Sequence, residues 1–180
     1  MGALNLAKEI PGLAITVARY GVAENMARKI HDDEPIGVDM AGFITADIAD
    51  GAILRSFDMD TPVRRVADGV VDHASIARVS YEVWKKYPDS RSYIGILATR
   101  AALVGMLNGI HLASAGEVTK GRSKQKSTNL ATAAFALAAT SGNRKATHIA
   151  GALASGIAIV TAVSHLKDLG KKHASGIREL

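Results

Sequence analysis

Long apolar blocks separated by short polar breaks run the length of the chain. Six of them read as helices: 11–30, 36–57, 63–87, 93–115, 128–140 and 147–166. The breaks are the acidic segment 32–35, the turn 58–62, the loop 88–92, the basic loop 116–127 and the tight turn 141–145. Pro11 suits the first turn of the first helix, where its missing N–H has no helical partner to lose. Residues after 166 read as a polar tail. No stretch shows the two-residue alternation of a strand, and no internal repeat is present. The pattern predicts an all-α chain, and 180 residues is the size of one domain, 1–180.

The last block raises the question of a membrane. No Asp, Glu, Lys or Arg occurs from 146 to 166, about the length that crosses a bilayer. Gly151 and Ser155, and Ala152 and Gly156, are small residues four apart, as close-packed membrane helices use. The same block also fits a buried helix of a soluble bundle, and the mean hydropathy of +0.12 is low for a polytopic membrane protein. No cleavable signal peptide is expected from the first residues. The absence of cysteine excludes disulfides and thiolate metal sites. The net charge of +5 suits an anionic membrane surface, a phosphorylated substrate or a nucleic acid. Aromatics at 4% argue against a stacking surface for single-stranded nucleic acid.

Charges inside apolar helices are costly and mark polar cavities. Four stand out: Asp47, Asp50, Asp68 and Asp72. Asp47 and Asp50 are three apart and Asp68 and Asp72 four apart, so on helices each pair shares a face. Two such pairs, joined by the turn 58–62, can converge on one oxygen-rich pocket. Carboxylates that close repel and take up protons unless a cation lies between them. Hard divalent ions, magnesium or manganese, match all-oxygen ligation. The solvated-surface alternative fits any single Asp better than four in this register.

The residues Asp47, Asp50, Gly51, Arg55, Asp68 and Asp72 resemble the D-x2-D-G-x2-A-R…G-x3-D-x3-D signature of the CDP-alcohol phosphatidyltransferases. Leu54 stands where that family has Ala, and Arg64 where it has Gly. The resemblance is strongest over 47–72 and weaker over 10–19 and 93–126. It implies a polytopic membrane protein of six transmembrane helices with a metal site near the cytoplasmic face. It implies transfer of the phosphatidyl group of CDP-diacylglycerol to an alcohol, with release of CMP. It also implies Asp47, Asp50, Asp68 and Asp72 around Mg2+ or Mn2+, with Asp72 as catalytic base. Gly51 would allow close approach of the nucleotide, and Arg55 suits a phosphate, unless it is a snorkelling charge at a helix end. Arg100, Lys124 and Lys126 resemble the family's contacts to a phosphorylated acceptor. Glycerol 3-phosphate is the first acceptor to expect and an inositol phosphate the second. A homodimer is implied, and nucleic acid is not an expected partner.

Basic residues favour the segments that are cytoplasmic if the N-terminus is inside, which puts the acidic cluster near the cytoplasmic face of a multi-pass cell-membrane protein. Tyr81, Trp84, Tyr87 and Tyr93 gather near one proposed membrane face, as interfacial or packing aromatics do. His73, His111, His148 and His165 lack paired zinc spacing and read as packing or surface residues. Two other classes remain: a non-catalytic helical membrane protein with a decayed site, and a soluble basic bundle binding nucleic acid through 120–126.

Overall fold

In the computed structural model, the backbone is described for 3–56, 62–115 and 122–176, and side chains for 14–46, 67–111 and 126–170. Six helices account for nearly all of it: α1 (Ala3–His31), α2 (Gly37–Ser56), α3 (Pro62–Lys86), α4 (Arg91–Ala115), α5 (Arg122–Thr140) and α6 (Arg144–Gly176). A 3-10 turn, Pro88–Ser90, precedes α4. No strand occurs among the described residues. Two helical segments, Pro88–His111 and Arg144–Gly170, are long and apolar enough to cross a membrane.

Three ends differ from the sequence expectation, all because favourable side chains carry a helix through a polar or Pro-containing stretch. α1 begins at Ala3, so Pro11 lies in its interior rather than its first turn. Pro11 removes one helical hydrogen bond, and the preceding Ala, Leu, Lys and Glu are good helix formers that sustain the turn before it. The basic segment expected as a loop is helical from Arg122, because Lys, Arg and Gln favour helix. α6 runs through the expected tail to Gly176. At about 1.5 Å per residue it outruns a hydrocarbon core about 30 Å thick.

The chain forms two compact units, Met1–Pro88 with Ala139–Gly142, and Asp89–Ala138 with Asn143–Leu180. In the first, α1 packs against both α2 and α3. Ala23, Met26, Ala27 and Ile30 form the buried stripe of α1, with Met40 of α2 and Val79 and Val83 of α3 also in the core. The α1–α2 corner is closed by polar groups. Glu34 N–H donates to the Lys29 carbonyl at 2.8 Å and Asp33 N–H to the Ile30 carbonyl at 3.4 Å. This is a Schellman ending, with Asp33 in the left-handed position at φ 63°. Lys86 of α3 donates to the Ile30 and His31 carbonyls at 2.6 and 2.8 Å and pairs with Asp33 at 2.7 Å. One ammonium thus tethers the end of α3 to the end of α1. Asp39, in the first turn of α2, accepts from Lys29 at 2.7 Å and Asn25 at 2.8 Å, charge at the favourable end of the helix dipole.

In the second unit α4 packs against α6. α6 is apolar on the outside and small on the inside. Gly151, Ala154, Ser155, Ala158 and Ala162 are buried, while Ile149, Leu153, Ile159, Val160 and Val163 are exposed, Leu153 by 64% and Val160 by 67%. Gly151 is a contact requirement: a Cβ there would lie 2.5 Å from Cδ2 of Tyr93. Only glycine lets α4 and α6 approach this closely. Tyr93 stacks edge-on against Phe135 of α5 at 5.7 Å between centroids and hydrogen-bonds His148 at 3.1 Å. The turn before α6 uses Gly142 at φ 72° and Asn143, whose side chain accepts the Ala146 N–H at 3.0 Å as an N-cap.

Candidate functional site

The most concentrated chemistry in the first unit lies where α1, α2 and α3 meet. Thr16 and Arg19 are three apart on α1 and so project to one side. Both are buried, Arg19 to 2% exposure. Asp68 and Asp72 are one turn apart on α3 and project toward them. Arg19 donates through one terminal nitrogen to Asp68 at 3.3 Å and through the other to Asp72. Thr16 Oγ1 donates to the same Asp68 oxygen at 2.9 Å. Phe43 of α2 lies under the guanidinium, 5.7 Å from ring centroid to Cζ. A planar fork with paired donors suits this better than an ammonium, since it reaches two carboxylates and stacks on a ring at once.

The electrostatics follow from burial. A guanidinium withdrawn from water needs carboxylate partners within contact, and Asp68 and Asp72 provide them. Their side chains keep 27% and 18% exposure, so neither is sealed from its surroundings as Arg19 is. Three hard oxygen donors (two carboxylates and a hydroxyl) are gathered around one positive group. That donor set fits a magnesium- or manganese-sized cation in chemistry, and Arg19 already offsets one of its two negative charges. Among the described residues no three His, Asp or Glu side chains gather.

The remaining expected site residues divide by unit. Asp47, Asp50, Gly51 and Arg55 belong to α2, so the three-residue spacing of the first acid pair is a helical spacing. Their side chains, and those of Leu54 and Arg64, lie outside the described residues. Phe43 is one turn before Asp47, which puts the start of that stretch of α2 at the level of Arg19. The turn 58–62 falls almost wholly outside the described residues. Arg100, Lys124 and Lys126 belong to the second unit. Arg100 is buried on α4, and Lys126 is exposed on the second turn of α5. Lys124 is on the first turn of α5, and its side chain lies outside the described residues.

Other polar groups inside the second unit bind helix to helix. His165 of α6 pairs with Asn108 of α4 at 2.9 Å, and Thr128 of α5 with Thr161 of α6 at 3.0 Å. With Tyr93–His148 they tie α6 to both neighbours, which is how membrane helices satisfy buried polar side chains.

Sequence reasoning missed Thr16, Arg19 and Phe43 as site residues. One signal pointed to them: Arg19 is a charge in the middle of an apolar helix, and Thr16 shares its face. Compared with family models, with curated proteins and with solved structures, the chain matches none.

Proposed function

We propose that this chain is a polytopic membrane enzyme that transfers the phosphatidyl group of CDP-diacylglycerol to an alcohol, as its resemblance to the CDP-alcohol phosphatidyltransferases implies. The observation that carries the reading is the acid pair Asp68–Asp72, turned together toward the Arg19 guanidinium beside α2, the helix that bears Asp47 and Asp50. The inverted polarity of α6, small inside and aliphatic outside, supports the bilayer as surroundings. Tyr81 and Trp84, both exposed near the end of α3, suit a membrane boundary. In this reading all six helices span, and the acids face the cytoplasmic side.

Asp47, Asp50, Asp68 and Asp72 would hold a divalent cation, which would supply charge neutralisation for the donor's diphosphate. Asp72 takes the proton of the acceptor hydroxyl. The acceptor oxygen forms a bond to the β-phosphorus, the one that bears the diacylglycerol, as the bond from that phosphorus to the bridging oxygen breaks. CMP leaves with that oxygen. Arg55 binds phosphate, and Gly51 leaves room for the nucleotide. Arg100, Lys124 and Lys126 suit the phosphate of a glycerol 3-phosphate or inositol phosphate acceptor, and a homodimer is the expected assembly.

The test is CMP release from CDP-diacylglycerol by the detergent-solubilised protein with Mg2+ or Mn2+ and a panel of acceptors: glycerol 3-phosphate, inositol phosphate, inositol and serine. Release that requires metal and one acceptor is the expected result. A second reading has its own observation in its favour. Arg19 already pairs with both Asp68 and Asp72, as in a metal-free structural site, and Leu54 and Arg64 depart from the signature. A folded protein with no release for any acceptor favours that non-catalytic membrane protein.

A further inference from the structure

The Arg19 guanidinium sits where a positive charge serves both acids of α3 at once. Its two terminal nitrogens go to different carboxylates, and the Thr16 hydroxyl braces one of them. The arginine lies on the protein side of the pair, almost wholly buried, with Phe43 behind it. Asp68 and Asp72 are by contrast partly exposed. A divalent cation that reaches the pair therefore meets two acids whose joint charge Arg19 already half offsets, and it meets the guanidinium's own repulsion at contact range.

From this geometry we propose that Arg19 is a built-in competitor for divalent cations at Asp68 and Asp72, one that weakens metal binding and must loosen its grip when the site loads. The inference rests on the transferase reading for the metal and adds a residue to it. Arg19 is a positioning residue: it holds both carboxylates in one orientation before any metal arrives. Loading is then an exchange of counterions rather than the filling of a bare acidic pocket. Such a site stays organised when metal is scarce and binds it with moderate affinity. Thr16 restricts Asp68 so that the carboxylate does not follow the guanidinium when the two separate.

The experiment is Mn2+ binding to the protein in detergent without nucleotide, read by electron paramagnetic resonance, in wild type, Arg19→Gln, Arg19→Lys, Asp68→Asn and Arg19→Gln/Asp68→Asn. Circular dichroism and size exclusion check that each variant is folded. Arg19→Gln is expected to bind Mn2+ roughly tenfold tighter or more, since one contact-range repulsion is removed. Arg19→Lys, a point charge that reaches one carboxylate at a time, is expected to fall between. The gain should vanish in the double variant. Unchanged or weaker Mn2+ binding in folded Arg19→Gln, with wild-type binding still dependent on Asp68, overturns the competitor and leaves the metal site standing. If Arg19→Gln does not fold, Arg19→Lys decides alone: binding no tighter than wild type overturns the proposal. No Asp68-dependent Mn2+ binding in any variant overturns the metal reading itself, and the competitor with it.

Discussion

The two units join their helices with different materials. In the first, charged and polar contacts tie the helices at two levels: Arg19 with Asp68 and Asp72, and Lys86 with the end of α1 and Asp33. Glu24, Arg78 and Glu82 add a third, with Arg78 donating to Glu24 at 2.8 Å and to Glu82 at 2.7 Å. In the second, α4 and α6 meet through Gly151, Ala154, Ala158 and Ala162, neutral hydrogen bonds fill the gaps, and an exposed ion pair, Arg144 to Asp89 at 2.9 Å, lies at the start of α6. The contrast teaches where chemistry can reside. Close packing of small residues leaves no room for a substrate at the α4–α6 seam itself, whereas a junction held by ions has groups that can change partners. The large aliphatic residues of α6 are left facing outward, which is the better arrangement in lipid and the worse one in water.

The sharpest break of this comparison is in activity. Asp72→Asn removes the proposed base and is expected to lower CMP release by about three orders of magnitude. Tyr93→Phe, in the other unit, is expected to leave release within about twofold, because it removes one neutral interhelical hydrogen bond.

Stability separates the units next. Arg19→Ala strands two acids and is expected to cost about 2–3 kcal/mol, less than a fully buried pair because both carboxylates are partly exposed. Thermal unfolding in detergent, followed by Trp84 fluorescence, measures it. Gly151→Ala forces a methyl into the Tyr93 ring and is expected to cost about 1–3 kcal/mol. The double variant Gly151→Ala/Tyr93→Ala tests whether that contact is the cause. It should recover much of the loss beyond what the two single changes predict if added. Additive losses would mean that the α4–α6 approach is not set by this contact.

The smallest expected effect is ionic. Lys86→Met removes the ammonium that caps α1 and is expected to cost about 1 kcal/mol, because Lys86 and Asp33 are both partly in water. Raising salt from 50 to 500 mM should shrink that difference. Salt should leave the Gly151→Ala difference unchanged.

The number of helices was legible because polar breaks and Pro or Gly punctuate the apolar blocks. Their ends were less so. Lys124, Gln125 and Lys126 read as loop by charge, yet they favour helix and have no reason to end one. Pro11 read as a helix start, yet one lost hydrogen bond does not end a helix whose neighbours favour it. The acid pair of α3 was legible from spacing, since one helix fixes which residues share a face. Its partner was not: Arg19 is 49 residues from Asp68 and 53 from Asp72. Only the packing of α1 against α3 brings them together. The Gly151–Ser155 stripe was legible as a close contact, whereas Ala152 and Gly156, equally spaced, are exposed. Spacing alone does not say which of two adjacent stripes meets a neighbour.

The most direct test of the central claim is metal-dependent CMP release by the purified protein, wild type beside Asp72→Asn, with glycerol 3-phosphate as acceptor. The account predicts release in wild type that disappears with chelator and is nearly lost in Asp72→Asn. Equal release from both proteins, or release indifferent to metal, would contradict it.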